Sequence, residues 1–129
     1  MLLKRYNTKV CLFEITTIYQ RADHFIFVDE QHIIVLTGGE DNAISAALLQ
    51  INDLNVIPVG KPFILPDAHA SSVTGIKYID QSVFTTSTDQ RLNKWEINDL
   101  KEDGVSLSMN NAAYMDVPDP SALDAVIFK

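Results

Sequence analysis

His69-Ala70-Ser71-Ser72-Val73-Thr74-Gly75-Ile76, followed by Ser87-Thr88-Asp89 and then Trp95, is the stretch that decides how the chain folds. Val73 to Ile79 alternates as a strand, Asp80-Gln81 supplies a tight turn, and Ser82 to Ser87 reads as the next strand. Thr88 to Gln90 form a second turn and Arg91 to Ile97 a third strand. Asn98-Asp99 and Lys101 to Gly104 make a polar loop. Short strands joined by tight turns, with a His before the first and a Trp on the third, predict an antiparallel sheet.

The same grammar appears earlier in the chain. Phe25 to Val28 reads as a strand, Asp29 to Gln31 as a turn, and Ile33 to Thr37 as a strand closing on Gly38-Gly39-Glu40-Asp41. These glycines are expected to supply positive φ in a hairpin turn. Phe25 stands as far before Asp41 as Val73 stands before Asp89. Ile51-Asn52-Asp53-Leu54 recurs as Ile97-Asn98-Asp99-Leu100, at a separation typical of repeat architectures. Ala47 follows Asp41 at the spacing of Trp95 after Asp89, whereas counting from the repeated tetrapeptide puts Leu49 in that place. A bulge within Asn42 to Gln50 would reconcile the two counts. Arg21 holds the place of His69, with His24 nearby.

Partial units flank these two. Asn7 and Phe13 are spaced like Asp89 and Trp95, so Lys9 to Ile15, which includes Cys11, reads as a third strand. Tyr114 to Val117 reads as an outer strand, and Leu123 to Phe128 as an apolar run opening a further unit. Sheets of this kind bury their faces only against neighbours. The chain is therefore expected to be a piece of a longer polypeptide.

The repeated pattern resembles the WD-repeat β-propeller. The resemblance implies an all-β chain of about two four-stranded antiparallel blades plus flanking strands. It places the end of a preceding blade in residues 1–22, a divergent blade in 23–65, a WD-signature blade in 66–117 and the start of the next blade in 118–129. In WD repeats the residues matching His69, Ser87, Asp89 and Trp95 form a buried hydrogen-bond relay, and Thr85, on the face of Ser87, is an alternative hydroxyl. By residue type, His69, Ser87 and Asp89 also match a hydrolytic triad. No Gly-x-Ser-x-Gly elbow surrounds Ser87, which lies on an apolar strand, so the structural reading is preferred.

Composition narrows the function. The chain has 129 residues and a formal charge of −7, which argues against a nucleic-acid surface by itself. No apolar run is long enough for a membrane helix, and no signal peptide is recognisable. The lone thiol, Cys11, fits a reducing compartment, and a cytoplasmic location is expected. His24, His32 and His69 lack the spacing of a zinc site, Gly38 to Asp41 lacks the lysine of a phosphate loop, and the turn acids Glu30, Asp41, Asp67 and Asp89 are ordinary for turns.

A narrower resemblance lies in Ala68-His69-Ala70-Ser71-Ser72-Val73-Thr74-Gly75, then Asp89-Gln90-Arg91-Leu92 with Trp95, and Val117-Pro118-Asp119. This wording is similar to the C-terminal repeats of the non-catalytic WD-repeat partners of the FtsJ-like tRNA ribose 2′-O-methyltransferase. It is clear over Asp67 to Pro120 and weaker over Asp23 to Leu54. The resemblance implies a long multi-propeller protein that supports methylation of the tRNA wobble nucleotide. It implies no catalytic residue, cofactor or metal in this chain, since the partner enzyme binds S-adenosylmethionine. Its partners would be that enzyme, tRNA indirectly and the remaining blades, with no membrane. The alternatives are a general interaction scaffold, in membrane traffic or ubiquitin ligation, and an enzyme in its own right.

Overall fold

A computed structural model of the chain describes residues 20–53, 55–98, 104–117, 120 and 123–128. The chain in these residues is all-β, built as two four-stranded antiparallel meanders. The first contains β1 (Gln20–Phe27), β2 (His32–Gly39), β3 (Ile44–Asn52) and β4 (Asn55–Leu65); the second contains β5 (Val73–Ile79), β6 (Ser82–Ser87), β7 (Arg91–Ile97) and β8 (Leu107–Tyr114). In both, sequence order is spatial order. The expected strand at Lys9 to Ile15 lies outside the described residues.

Local turn chemistry explains the meanders. Asp80 and Gln81 both hold positive φ, at 51° and 63°, which closes β5 on β6 with the two-residue turn that matches strand twist. The β6–β7 turn closes with Gln90 N–H donating to Ser87 O at 3.1 Å, and Gln90 takes φ 65°. Its counterpart between β2 and β3 has Asn42 N–H on Gly39 O at 3.3 Å and Asn42 at φ 66°. Asn42, not a glycine, therefore supplies the left-handed residue, and Gly38 and Gly39 extend β2.

Gly38 serves close packing instead. A Cβ there would meet Val73 Cγ1 at 2.5 Å, so only a glycine lets β5 approach the first sheet at that level. Around this contact Ile34, Leu36, Ile44, Ala46 and Leu48 of the first sheet share one core with Val73, Ile76, Val83 and Trp95 of the second. Burial of each large aliphatic side chain there contributes about 1.5–3 kcal/mol. Because side chains alternate along a strand, Ile33, Val35, Ala47 and Leu49 form a second core on the opposite face of the first sheet. The opposite face of the second sheet is more mixed, with Lys77, Phe84, Leu92 and Lys94 all half-buried.

Two expectations about the first sheet are corrected by its register. β2 and β3 pair without interruption from His32↔Gln50 to Gly38↔Ile44, so Asn42 to Gln50 hold no bulge. Each strand of this hairpin runs two residues longer than its counterpart, 8 against 6 and 9 against 7. The repeated tetrapeptide is displaced by that extra length. Val35↔Ala47 stands at the same distance from its turn as Val83↔Trp95, so Ala47 occupies the Trp place and Leu49 does not. The irregular strand is β4, where Ala46↔Phe63 is followed by Leu48↔Val59 and Gly60 takes φ 69°.

The spacing argument for Phe25 also changes. Val73 pairs with Ser87, and the equivalent pair in the first sheet is Gln20↔Gly39. A longer β1–β2 connection shifts β1, and Arg21 lies inside β1 rather than in a loop like that of His69. At the other end, the outer strand is β8, ending at Tyr114 where the sequence reading began it. Residues 123–128 make no strand pairing. Leu123 instead sits over Gly75, where a Cβ would meet its own Cβ at 2.8 Å, and Asp124 reaches Lys77 Nζ at 3.5 Å.

Candidate functional site

The His-bearing loop between β4 and β5 is held by two turns. His69 N–H donates to Asn42 O in the turn of the first sheet at 3.2 Å. Ala70 N–H donates to Asp89 Oδ2 at 2.9 Å, and Ser71 Oγ lies 2.6 Å from Thr88 Oγ1. Thr88 N–H donates to Ser72 O at 3.2 Å. The loop is thereby fastened to the β6–β7 turn, which places the imidazole inside the sheet edge.

His69 is buried and lies between two partners, with Nδ1 3.0 Å from Asp89 Oδ2 and Nε2 2.7 Å from Thr85 Oγ1. Trp95 Nε1–H donates to the same Thr85 oxygen at 2.8 Å. A carboxylate only accepts, so the proton belongs on Nδ1 and Nε2 accepts from the threonine hydroxyl. The chain then runs one way: indole N–H to Thr85, Thr85 O–H to His69, His69 N–H to Asp89. Every buried polar group in it is satisfied, and leaving one unpaired costs about 1–3 kcal/mol.

The structure brings His69, Asp89 and Trp95 together but corrects the hydroxyl. Ser87, fully buried, accepts from Asp89 N–H at 3.1 Å and shapes the turn. Thr85 sits one pleat further from the turn, on the same face and level with the imidazole, so it closes the relay. Asn93, which the alternation around Leu92 and Trp95 groups with Arg91 and Lys94 as surface in the sequence, belongs to this group instead. It is buried, donates to Ala68 O at 3.3 Å and has its amide 3.4 Å from His69 Nε2. Its position two residues before Trp95 on one strand face was the available signal.

Asp89 anchors the turn end. Burial opposes its ionisation, but hydrogen bonds from Ala70 N–H, Arg91 N–H and His69 outweigh burial and hold its carboxyl below the ordinary range. Arg91 N–H meets Oδ1 at 2.8 Å. Asp41 makes the corresponding turn contact in the first sheet, accepting from Ala43 N–H at 3.3 Å.

Thr85, His69 and Asp89 stand at the distances of a catalytic triad, yet the arrangement cannot attack a substrate. Thr85 is 1% exposed and Ser87 0%, and the Thr85 oxygen already accepts the indole N–H. A nucleophile needs access and an oxyanion site. The group is a clasp joining a loop, β6 and β7. Beside it an open hollow of about 500 Å³ is lined by Asn42, Asp67, Asp89, Arg91 and Asn93 among others.

The remaining histidines lie elsewhere. His24, on β1 opposite Leu36, has its pKa lowered by burial and by Lys77, against the opposing influence of Asp23. His32 Nδ1 pairs with exposed Asp29 at 2.9 Å. Among the described residues no group of three or more His, Cys, Asp and Glu side chains is placed to hold a metal ion. No helix in them is long and apolar enough to cross a membrane.

No family model matches the chain. It is similar to the tRNA (34-2'-O)-methyltransferase regulator WDR6 of Homo sapiens and of Pongo abelii, 28% identical in each case over 114 residues. The two four-stranded antiparallel meanders have the form of propeller blades, consistent with this likeness. The matched segment covers 78% of this chain and 10% of each relative, so the chain spans about a tenth of the length of these curated proteins. The resemblance read from Ala68 to Asp119 thus agrees with a direct likeness to a regulator of a tRNA (34-2'-O)-methyltransferase. In the WD-repeat frame, the second sheet is the blade with the His–Thr–Trp–Asp clasp, and the first keeps the turn acid while replacing the indole by Ala47.

Proposed function

We propose that the chain belongs to a non-catalytic WD-repeat subunit that binds an FtsJ-like tRNA ribose 2′-O-methyltransferase and supports methylation of the wobble nucleotide. The observation that carries this reading is the likeness to the methyltransferase regulator. The enzyme binds S-adenosylmethionine and transfers the methyl group, and the propeller holds the enzyme in a productive arrangement with tRNA. Two features of the chain support an accessory role. The triad-like constellation among the described residues is closed to substrate, and the charge of −7 suits a basic protein partner better than the phosphate backbone. The work is assigned to the cytoplasm, with tRNA reached through the enzyme.

The test is genetic and biochemical together. Deleting the segment from its full-length protein is expected to abolish wobble ribose methylation and co-purification of the methyltransferase in equal amount. Normal methylation after deletion would sink the proposal and leave a general interaction scaffold.

A further inference from the structure

The two blades end in outer strands of the same topology but opposite character. β4 carries Pro58, Pro62 and Lys61, and its register breaks around Gly60. It is also covered: a Cβ on Gly104 would lie 2.9 Å from Lys61 O and 3.0 Å from Val59 O, so the chain at Gly104 rests on that edge. Proline, lysine, a bulge and a covering segment are the devices by which sheet edges are closed to other strands. β8, Leu107–Tyr114, shares with β4 a break in register, where Lys94↔Asn111 is followed by Trp95↔Met109, but it has no proline, glycine or charged residue and is exposed at every position after Leu107.

The backbone of β8 shows which groups face outward. Ala112 N–H is taken by its neighbour's side chain, Asn111 Oδ1, at 2.8 Å, while Met115 N–H donates inward to Gln90 O at 2.7 Å. Antiparallel alternation then turns the amides of Ala112 and Tyr114 away from β7. On the same side of the sheet edge, Tyr114 and Met109 are 61% and 52% exposed. Tyr114 is fixed by its hydroxyl on Gln90 at 3.0 Å, and the Arg91 guanidinium lies 5.8 Å from its ring centre. Among the described residues Arg91 has no carboxylate within ion-pair distance.

We propose that the edge of β8, uncovered among the described residues, is a docking site for an extended segment of the partner protein, which adds as a further strand. That segment places an acidic side chain on Arg91 and an apolar one on Met109. Backbone pairing with Ala112 and Tyr114 supplies the affinity, and the two side-chain contacts supply selection. The proposal rests on the methyltransferase partnership proposed above and names the surface that makes it.

The experiment measures binding of the purified methyltransferase to the full-length protein by calorimetry, together with amide exchange across residues 107–115. Complex formation is expected to slow exchange at Ala112 and Tyr114. Ala112→Pro removes one outward donor, which leaves Asn111 Oδ1 to pair with the added strand, and no ladder bond; it is expected to weaken binding about threefold, less than a full backbone hydrogen bond because one bond is exchanged for another. Arg91→Glu leaves the backbone untouched, so it reports even where the proline variant fails to fold; it is expected to weaken binding about fivefold. Wild-type affinity in Arg91→Glu, or unchanged exchange across β8, would overturn the edge site and leave the partnership standing. Absence of binding by the wild-type protein would overturn both.

Discussion

Replacing Thr85 by valine tests the clasp most sharply, because the shape stays and only the hydroxyl goes. In the native chain that oxygen accepts Trp95 Nε1–H at 2.8 Å and lies 2.7 Å from His69 Nε2. Valine leaves the indole N–H buried without a partner and leaves His69 Nε2 only the long 3.4 Å contact with the Asn93 amide; an unpaired buried group costs about 1–3 kcal/mol, so a total near 3 kcal/mol is expected. Ser87→Ala removes an acceptor for one turn amide, Asp89 N–H, and is expected to cost about 1 kcal/mol. Thr85→Ser keeps the hydroxyl and should recover most of the loss. Urea unfolding followed by Trp95, the chain's sole tryptophan, reads all three. With a slope of about 1–3 kcal/mol per molar urea, the first two variants should separate by roughly a molar in midpoint. An equal or larger loss in Ser87→Ala would refute the assignment of the relay to Thr85.

Asp89 gives a pH prediction. Its folded carboxyl ionises below the ordinary range, so its stabilisation is complete above the unfolded pKa, about 4, and is lost as pH falls through the lower folded value. Asp89→Asn should flatten the acid limb of a stability-against-pH curve. At neutral pH it should cost about 2 kcal/mol, since an amide cannot accept from Ala70, Arg91 and His69 at once. An unchanged acid limb would argue against the anchor role. Gly38→Ala should destabilise by about 1–3 kcal/mol through overpacking against Val73, and Gly38→Ala with Val73→Ala should cost less than the two single changes added together. Additive losses in calorimetric melting would show that the blades are not in contact there.

Much of the second blade was legible because its polar residues sit at turns and its apolar ones alternate. Asp80-Gln81 and Ser87 to Gln90 announce hairpins by composition, and Val83 and Trp95 mark the buried face. The outer strands were hardest to see. β8 reads Leu-Ser-Met-Asn-Asn-Ala-Ala-Tyr, because a strand whose side chains meet water after its first residue has no burial pattern to display. The hydroxyl was ambiguous for another reason: Thr85 and Ser87 share a face, and depth relative to the loop histidine is a three-dimensional quantity. Spacing failed at Phe25 because it assumed equal connections, whereas the β1–β2 connection is longer than the Asp80-Gln81 turn.

The two blades also differ in how register is fixed. In the second, slipping β7 by one residue would remove Trp95 and Asn93 from the buried face and break the clasp with Thr85 and His69. In the first, β2 and β3 are buried on both faces from Ile33 to Gly39 and from Ile44 to Leu49. A slip there exchanges one apolar face for another, so side-chain burial discriminates weakly. The turn must then carry the discrimination, through Asn42 at positive φ and the Asp41 carboxylate on Ala43 N–H. A clasp is unnecessary where Ala47 leaves no indole to satisfy. This explains how the first blade keeps the turn acid while dispensing with the tryptophan: the acid fixes the turn in both blades, and only in the second does it also end a buried relay.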